Sequence, residues 1–372
     1  MIRLATSLLF VALSAAAQVK QPEQTSLPNA QSGFAQVSQA ADSARDAGRS
    51  EEAIQLYKRA LGFRPKWKDG LWSLSSLLYG QNHYADARES LRRLVAIDPE
   101  LGLAWAMLGM SEFELRDYAR ALDHLRRAMA EGMGDQKDIA ESVFCYVAVL
   151  ENRFELFDDS TSLLIAMVKS GQDSKPLVEP IGLAALRLPF LPAEIPADRH
   201  EMIRQAGEAT LALEAQRRDE AGKLFLGLTE RYPNEPGVHF LYGAFLLDEN
   251  PEAGIQEMKK ELQVSPSNVS ARLRLAEEYT KQQNPDSALP LAQEAVKLDP
   301  KRSSAHMMLG EVLIAKEDSL GGIRELETAR EQAPQTVRIH WDLLRAYTAA
   351  GRSEEARREK EEIEKLSSAR NQ

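Results

Sequence analysis

The sequence predicts an all-α chain assembled from stacked helix–turn–helix units. Three observations predict it. From Phe34 onward, apolar residues recur at i, i+3, i+4 and i+7, the period of one helix face. Helix breakers arrive every 15 to 18 residues, and no segment alternates with the period of a strand. Similar strings also return: HYADARESLRRLVAIDP at 83–99, DYARALDHLRRAMAE 34 residues later at 117–131, DEAGKLFLGLTERYP at 219–233 and DSALPLAQEAVKLDP at 286–300.

In chain order, the first element is a leader. Arg3 precedes an apolar run at 4–13, and Ala15-Ala16-Ala17 precede Gln18. That is the pattern of a secretory signal peptide over residues 1–17. The run is too short to span a bilayer comfortably, and no later segment reaches 18 apolar residues. No cysteine follows it, so a lipoprotein anchor is not expected. The expectation is export, to the periplasm or outside the cell, with no stable membrane insertion after cleavage. Residues 18–33, with four Gln and two Pro and no periodic apolar face, read as a flexible leader.

The repeats follow, at 34-residue spacing. Numbered from Phe34, positions 20, 24, 27 and 32 hold Ala53, Tyr57, Ala60 and Pro65. Numbered from Lys68 they hold Ala87, Leu91, Leu94 and Pro99. From Gly102 they hold Ala121, Leu125 and Ala128, with Gly132 ending the helix instead of Pro. The units from Met202, Val269 and Ser303 keep the pattern, ending in Pro233, Pro300 and Pro334. The unit at 236–268 is one residue short, and the last begins at Val337. Positions 4, 7 and 8 of the first helix read Trp105-Leu108-Gly109, His239-Tyr242-Gly243 and His306-Leu309-Gly310.

Physical chemistry explains the types. Small residues at positions 8 and 20 let two helix backbones approach, and larger ones at 4, 7, 11 and 24 fill the space between. Proline at 32 cannot continue a helix, so the chain turns into the next unit. Asp86, Asp98, Asp219, Asp286 and Asp299 flank the turns, where short side chains can cap free amides. One pair cannot bury its apolar face alone, whereas a stack can.

This pattern resembles the tetratricopeptide repeat, whose 34-residue unit carries Trp, Leu, Gly, Tyr, Ala, Phe, Ala and Pro at these places. The resemblance covers three units at 34–135 and five at 202–370, the last a polar C-terminal cap. It implies a right-handed superhelical solenoid in two sub-arrays. Between them, 136–201 reads as a degenerate repeat followed by a joint with Pro176, Pro180, Pro189, Pro192 and Pro196. The segment 176–195 is apolar and must pack on something, the concave groove included. In the terminal helix, Glu354–Arg358 and Glu361–Lys365 are spaced as i,i+4 ion pairs.

Composition narrows the function. With a formal net charge of −10, the chain offers no basic stripe for nucleic acid. The single cysteine, Cys145, lies in an apolar run and reads as a buried small hydrophobe. His239, His306 and His340 share position 4. Zinc ligands lie about 2 Å from one ion and stacked helices about 8–10 Å apart, so these histidines read as replacements for the packing Trp. The sequon Asn268-Val269-Ser270 falls at a repeat boundary. No nucleotide-binding, nucleophile-elbow or metalloprotease motif occurs. The expectation is a chain that is not an enzyme and uses no cofactor or metal.

In the repeat family, positions 2, 5, 9 and 12 of the first helix face a concave groove. The resemblance therefore implies a peptide-binding groove with Trp72, Ser76, Tyr79, Met110 and Phe113 in the first array. Phe240, Leu247, Met307, Trp341 and Arg345 line it in the second, with Glu277 and Glu311 at position 9. The family's clamp for a peptide carboxylate is not evident there. An apolar-aromatic groove suits a protein or peptide partner, and the expectation is a scaffold. The alternative is a carbohydrate-handling or enzyme-accessory module, with Trp72 and Tyr79 stacking on sugar rings.

Overall fold

The structure, a computed structural model, describes residues 29–369. The signal peptide and residues 18–28 of the leader lie outside the described residues. The remainder of the leader, 29–33, is helical, because the first helix extends one turn ahead of Phe34. Among the described residues all regular structure is helical, and the chain divides into two compact units at His200/Glu201.

The first unit contains four helix pairs. They are α1 (Asn29–Asp46) with α2 (Ser50–Phe63), α3 (Lys68–Gly80) with α4 (Tyr84–Ile97), α5 (Gly102–Glu114) with α6 (Tyr118–Glu131), and α7 (Lys137–Arg153) with α8 (Phe157–Lys169). A single helix, α9 (Val178–Ala185), follows. The second unit opens with α10 (His200–Glu214) and α11 (Arg218–Arg231), then α12 (Val238–Leu247) with α13 (Pro251–Val264). Next come α14 (Val269–Lys281) with α15 (Pro285–Leu298), α16 (Ser303–Ala315) with α17 (Ser319–Gln332), and α18 (Val337–Ala349) with α19 (Ser353–Ala369).

Each pair is set by contact between position 8 and position 20. Ala41 and Ala53, Ala209 and Ala221, and Ala276 and Ala288 are fully buried at these places. Where glycine stands there the backbones come closer still. A Cβ on Gly109 would lie 2.6 Å from Leu125 Cγ, and one on Gly310 would lie 2.9 Å from the Gly322 carbonyl. The pair α7–α8 follows the same rule in a register beginning at Glu141: Ala148 and Ser160 are buried, and Ser160 Oγ donates to Ala148 O at 2.8 Å. The stretch read as degenerate thus holds a regular pair, shifted by five residues after Gly132.

The apolar segment after it behaves as half a repeat. Helix α9 packs on α8 and α7, as the first helix of a further pair. Asn152 Nδ2 donates to Leu188 O at 2.8 Å, and Arg153 donates to Pro189 O at 3.0 Å. Proline at 189, 192 and 196 then prevents a second helix.

The turn inside each pair has one fixed requirement. Position 15 adopts a left-handed conformation whatever residue occupies it: Gly48 (φ 72°), Asn82 (61°), Arg116 (60°), Gln216 (59°), Gln283 (56°), Glu317 (67°) and Gly351 (73°). Glu155 (63°) takes this place in the shifted register. The short repeat lacks this residue, so its deletion falls in the turn between α12 and α13. There Asn250 caps α13 by accepting from Ala253 N at 3.2 Å.

Capping differs from the sequence expectation. Side-chain caps come from Asn250, Asn268, Asn284 and Asp318. Asp86 and Asp286 instead lie in the first turns of α4 and α15 and pair with Lys58 and Lys316 of a neighbouring pair. Asp98 pairs with Lys68, and Asp299 accepts from Lys301 N. The sequon residue Asn268 is engaged twice, accepting from Ala271 N and donating to the buried Glu261. In α19 the ion pairs form at Arg357–Glu361, Arg357–Glu354 and Lys365–Glu362, so Arg357 rather than Arg358 carries the network.

Position 4 closes four of the pairs onto the one before. Trp105 Nε1 donates to Pro99 O at 2.8 Å. The Nε2 of His239, His306 and His340 makes the same bond to Pro233 O (2.9 Å), Pro300 O (3.0 Å) and Pro334 O (2.8 Å). Their Nδ1 atoms lie 2.6, 2.7 and 2.6 Å from Glu257, Glu325 and Glu359, within hydrogen-bond distance. Those glutamates stand one residue before position 24, the place that His124 takes beneath Trp105. Each imidazole therefore uses both nitrogens within its own surroundings.

Two outcomes follow from the turn and from position 4. Replacing Arg116 or Glu317 with Gly relieves the left-handed strain, raising stability by up to about 1 kcal/mol, while Gly351→Ala loses a similar amount; urea midpoints read the difference. His306→Ala removes the bonds to Glu325 and to Pro300 O, a carbonyl that keeps its bond from Gln332, at a cost of about 1 kcal/mol. The double variant His306→Trp/Glu325→His rebuilds the Trp105–His124 arrangement and recovers part of that loss in the same titration.

Candidate functional site

Within each unit, first helices of successive pairs touch one another: α5 meets α7 in the first unit, and α12 meets α14, α14 meets α16 and α16 meets α18 in the second. Their exposed faces therefore run side by side, and the residues assigned to a groove can be placed on them.

In the first unit that face is largely occupied by the protein itself. Trp72 and Tyr79 are half-buried and pack on the core formed by Leu71, Leu74 and Leu108. Ser76 Oγ is turned back onto Trp72 O at 2.9 Å. Phe113 is wedged edge-on between Tyr118 and Tyr146, with centroids at 5.4 and 4.8 Å. Met110 is 6% exposed and belongs to the core, not to a groove. Cys145 is partly buried, and burial pushes its thiol up to about 11, so the nucleophilic thiolate is scarce at neutral pH.

In the second unit, Phe240 is likewise buried, 5% exposed, against Ile255, Met258 and Leu275, which removes it from any groove. Leu247 packs on the same cluster, and Met307 on Ile339 and Leu343. Trp341 and Arg345 are different. Trp341 is 49% exposed and Arg345 is exposed, one helical turn apart on α18.

Around them lies a charged constellation. Arg338, one turn before Trp341, donates to Glu311 Oε1 at 2.9 Å across from α16. Asp342 is buried; its Oδ1 accepts from Arg345, and its Oδ2 lies 4.0 Å from Arg338 Nε. On α14, Glu277 is paired with Arg274 at 3.4 Å and Lys281 at 3.7 Å. Glu311 is pushed up to about 7, by burial first and then by Asp342 beside it, against the opposing pull of Arg338. The repeat register already placed Glu277 and Glu311 on this face. It also puts Arg338 at position 2, a signal the sequence reading passed over. Asp342 stands at position 6, where other units carry the buried Met107 and Met308. An ionisable residue at a core position was the available sign.

The arrangement is that of a helical-repeat protein: stacked hairpins present successive helix faces, and no metal-binding cluster of His, Cys, Asp and Glu occurs among the described residues. The family model described as tetratricopeptide repeat matches residues 73–135 and 273–321. Those two segments carry tetratricopeptide-repeat units.

Two curated relatives are similar over most of it. The human protein O-mannosyl-transferase TMTC3 is 23% identical over 303 residues, 80% of this chain and 26% of that protein. The CTR9 homolog of Arabidopsis thaliana is 24% identical over 305 residues, 78% of this chain and 25% of that protein. The chain thus spans about a quarter of the length of each. Among solved structures, MamA 41-end from Desulfovibrio magneticus RS-1 is 19% identical, with a TM-score of 0.39 over 46% of this chain and 97% of that one. A MamA RS-1 double mutant gives 0.42 at 18% identity over 46% of this chain and 96% of its own.

The Glu311 environment sets a pH dependence. Its folded pKa lies above the ordinary 4.5, so the native state binds more protons than the unfolded one between that value and about 7. The stability held by this carboxyl is therefore complete at low pH and declines as pH rises through that window. Glu311→Gln is expected to flatten this component, read as a smaller fall in melting temperature between about pH 5 and about pH 8 than wild type shows.

Proposed function

We propose that this chain is a non-enzymatic scaffold that holds a protein or peptide partner on the exposed faces of its first helices. The observation that supports the reading best is the second unit's inner stripe, where Trp341 stands half in solvent and Arg338 and Arg345 flank it. A large half-exposed ring rimmed by arginines has the composition of a protein-contact hot spot. The N-terminal pattern at 1–17, with Arg3 ahead of an apolar run and Ala15-Ala16-Ala17 at its end, supports action after export, in the periplasm or outside the cell.

A sugar-binding reading has less support. Stacking on a sugar needs an open ring face, and Trp72 and Tyr79 are packed into the first unit's core.

Affinity capture by the full chain from cells that produce it is expected to yield a discrete partner. Trp341→Ala is expected to weaken retention at least ~10-fold, as loss of a hot-spot aromatic does, with the melting temperature unchanged. N-terminal sequencing of the exported protein is expected to begin at Gln18. Undiminished capture by the variant would remove the inner stripe from the function.

A further inference from the structure

One carboxylate of the first unit stands without a partner. Glu114, the last residue of α5, makes no hydrogen bond or ion pair with any described residue. It is exposed, yet partial burial still pushes its carboxyl above the ordinary value.

An aromatic cluster stands beside it. Positions 12 and 17 carry an aromatic pair in two successive repeats. Tyr79 meets Tyr84 edge-on with centroids at 5.3 Å, and Phe113, adjacent to Glu114, meets Tyr118 at 5.4 Å. Tyr146 of α7 closes on Phe113 at 4.8 Å. These contacts fix the rings, so the cluster offers a ligand its hydroxyl ends. Tyr84 Oη donates to Asn82 Oδ1 at 2.6 Å. The hydroxyls of Tyr79 and Tyr146 make no hydrogen bond with any described residue, and neither is sealed from the surface.

The charges here have one sign. Burial first, and then the charge of Glu114, pushes up the phenols of Tyr84 and Tyr146. Tyr79 is raised by burial, then by Tyr146, Glu114 and Tyr84. No lysine or arginine pulls any of these four groups the other way. An unpaired carboxylate and two free phenol oxygens thus meet without a cation. Their complement is a positive group with several N–H donors that tolerates aromatic contact, which describes a guanidinium. A divalent ion fits less well, since a single carboxylate stands here.

We propose that the Glu114 end of α5 is a seat for an arginine side chain of a partner segment, whose N–H groups donate to the Glu114 carboxylate and to the hydroxyl oxygens of Tyr79 and Tyr146. This rests on the scaffold reading and names the chemistry of its partner at a second contact, in the first unit. The packed rings hold the acceptors in place before the ligand arrives, which limits the ordering cost of binding.

The test titrates the full chain calorimetrically with two synthetic peptides, one alternating Gly and Arg and one alternating Gly and Glu. The arginine peptide is expected to bind and the glutamate peptide not to bind. Glu114→Gln is expected to weaken binding at least ~10-fold, as loss of a charged hydrogen-bond partner does. Tyr79→Phe/Tyr146→Phe, which keeps both rings, is expected to weaken it at least ~3-fold. Glu114 has no bond to lose, so Glu114→Gln is expected to melt at least as high as wild type. Glu354→Gln/Glu364→Gln, on α19, removes two charges from the second unit. It controls for general attraction to an acidic chain and is expected to change nothing. The proposal is overturned if the arginine peptide does not bind, if the glutamate peptide is held as well, if either first-unit variant binds as wild type does, or if the α19 variant weakens binding equally. A cellular partner captured equally well by Glu114→Gln would overturn this seat and leave the scaffold standing. Arginine-peptide binding that depends on Glu114, with no partner captured from cells, would do the reverse.

Discussion

The structure depends on how closely two backbones can pass at positions 8 and 20 of each repeat. At Gly109 and Gly310 there is no room for even a β-carbon, and at Ala41, Ser75, Ala148, Ala209 and Ala276 a fully buried alanine or serine fills the same space, while the terminal pair carries Leu344 there. That contact sets the distance within a hairpin. The distance in turn fixes where Leu125 or Leu326 lodges, and hence which surface the next hairpin meets. Close packing at interior density leaves little freedom to compensate an added methyl group. A period of 34 residues persists because each unit must solve the same steric problem.

The same constraint explains what could be read from the sequence. Small residues recurring in phase identify the pairs, because the chemistry at those positions is narrow. Position 15 was not readable, because its constraint is on the backbone and not on the side chain: Asn82, Arg116, Gln283 and Glu317 share a left-handed φ and little else. The α7–α8 pair was hidden by a five-residue offset after Gly132, which displaces every later position from the register. Met110 and Phe240 were misplaced for a different reason. A position that faces inward on an isolated hairpin is covered when the neighbouring hairpin brings bulk to the same spot, as Leu275 does for Phe240. Trp341 and Arg345 escape that cover. Asp342 lay beyond the sequence pattern, since a charged residue at a buried position looks like any other charge until its neighbours are known.

The site and the fold are therefore one construction. α16 and α18 lie side by side because their hairpins stack, and stacking brings Glu311 within reach of Arg338. His306 and His340 lie on the same two helices and bond to Glu325 of α17 and Glu359 of α19, so the charged stripe rests on elements already fixed by hydrogen bonds. The first unit spends its aromatic residues differently. Tyr79, Phe113 and Tyr146 are packed against one another and the core, and their rings contribute rigidity more than recognition.

The bond from position 4 to the preceding proline carbonyl has a mechanical meaning. Trp105, His239, His306 and His340 each fasten a hairpin to its predecessor, whereas Leu71, Gln205 and Arg272 occupy the same place without that clasp. Solenoids come apart along their weakest seams, since each repeat is held only by its neighbours. The seam ahead of α14, where Arg272 stands, is held instead by Asn268, which caps α14 and donates to the buried Glu261 of α13, so each of the four seams within the second unit carries a polar fastening of its own.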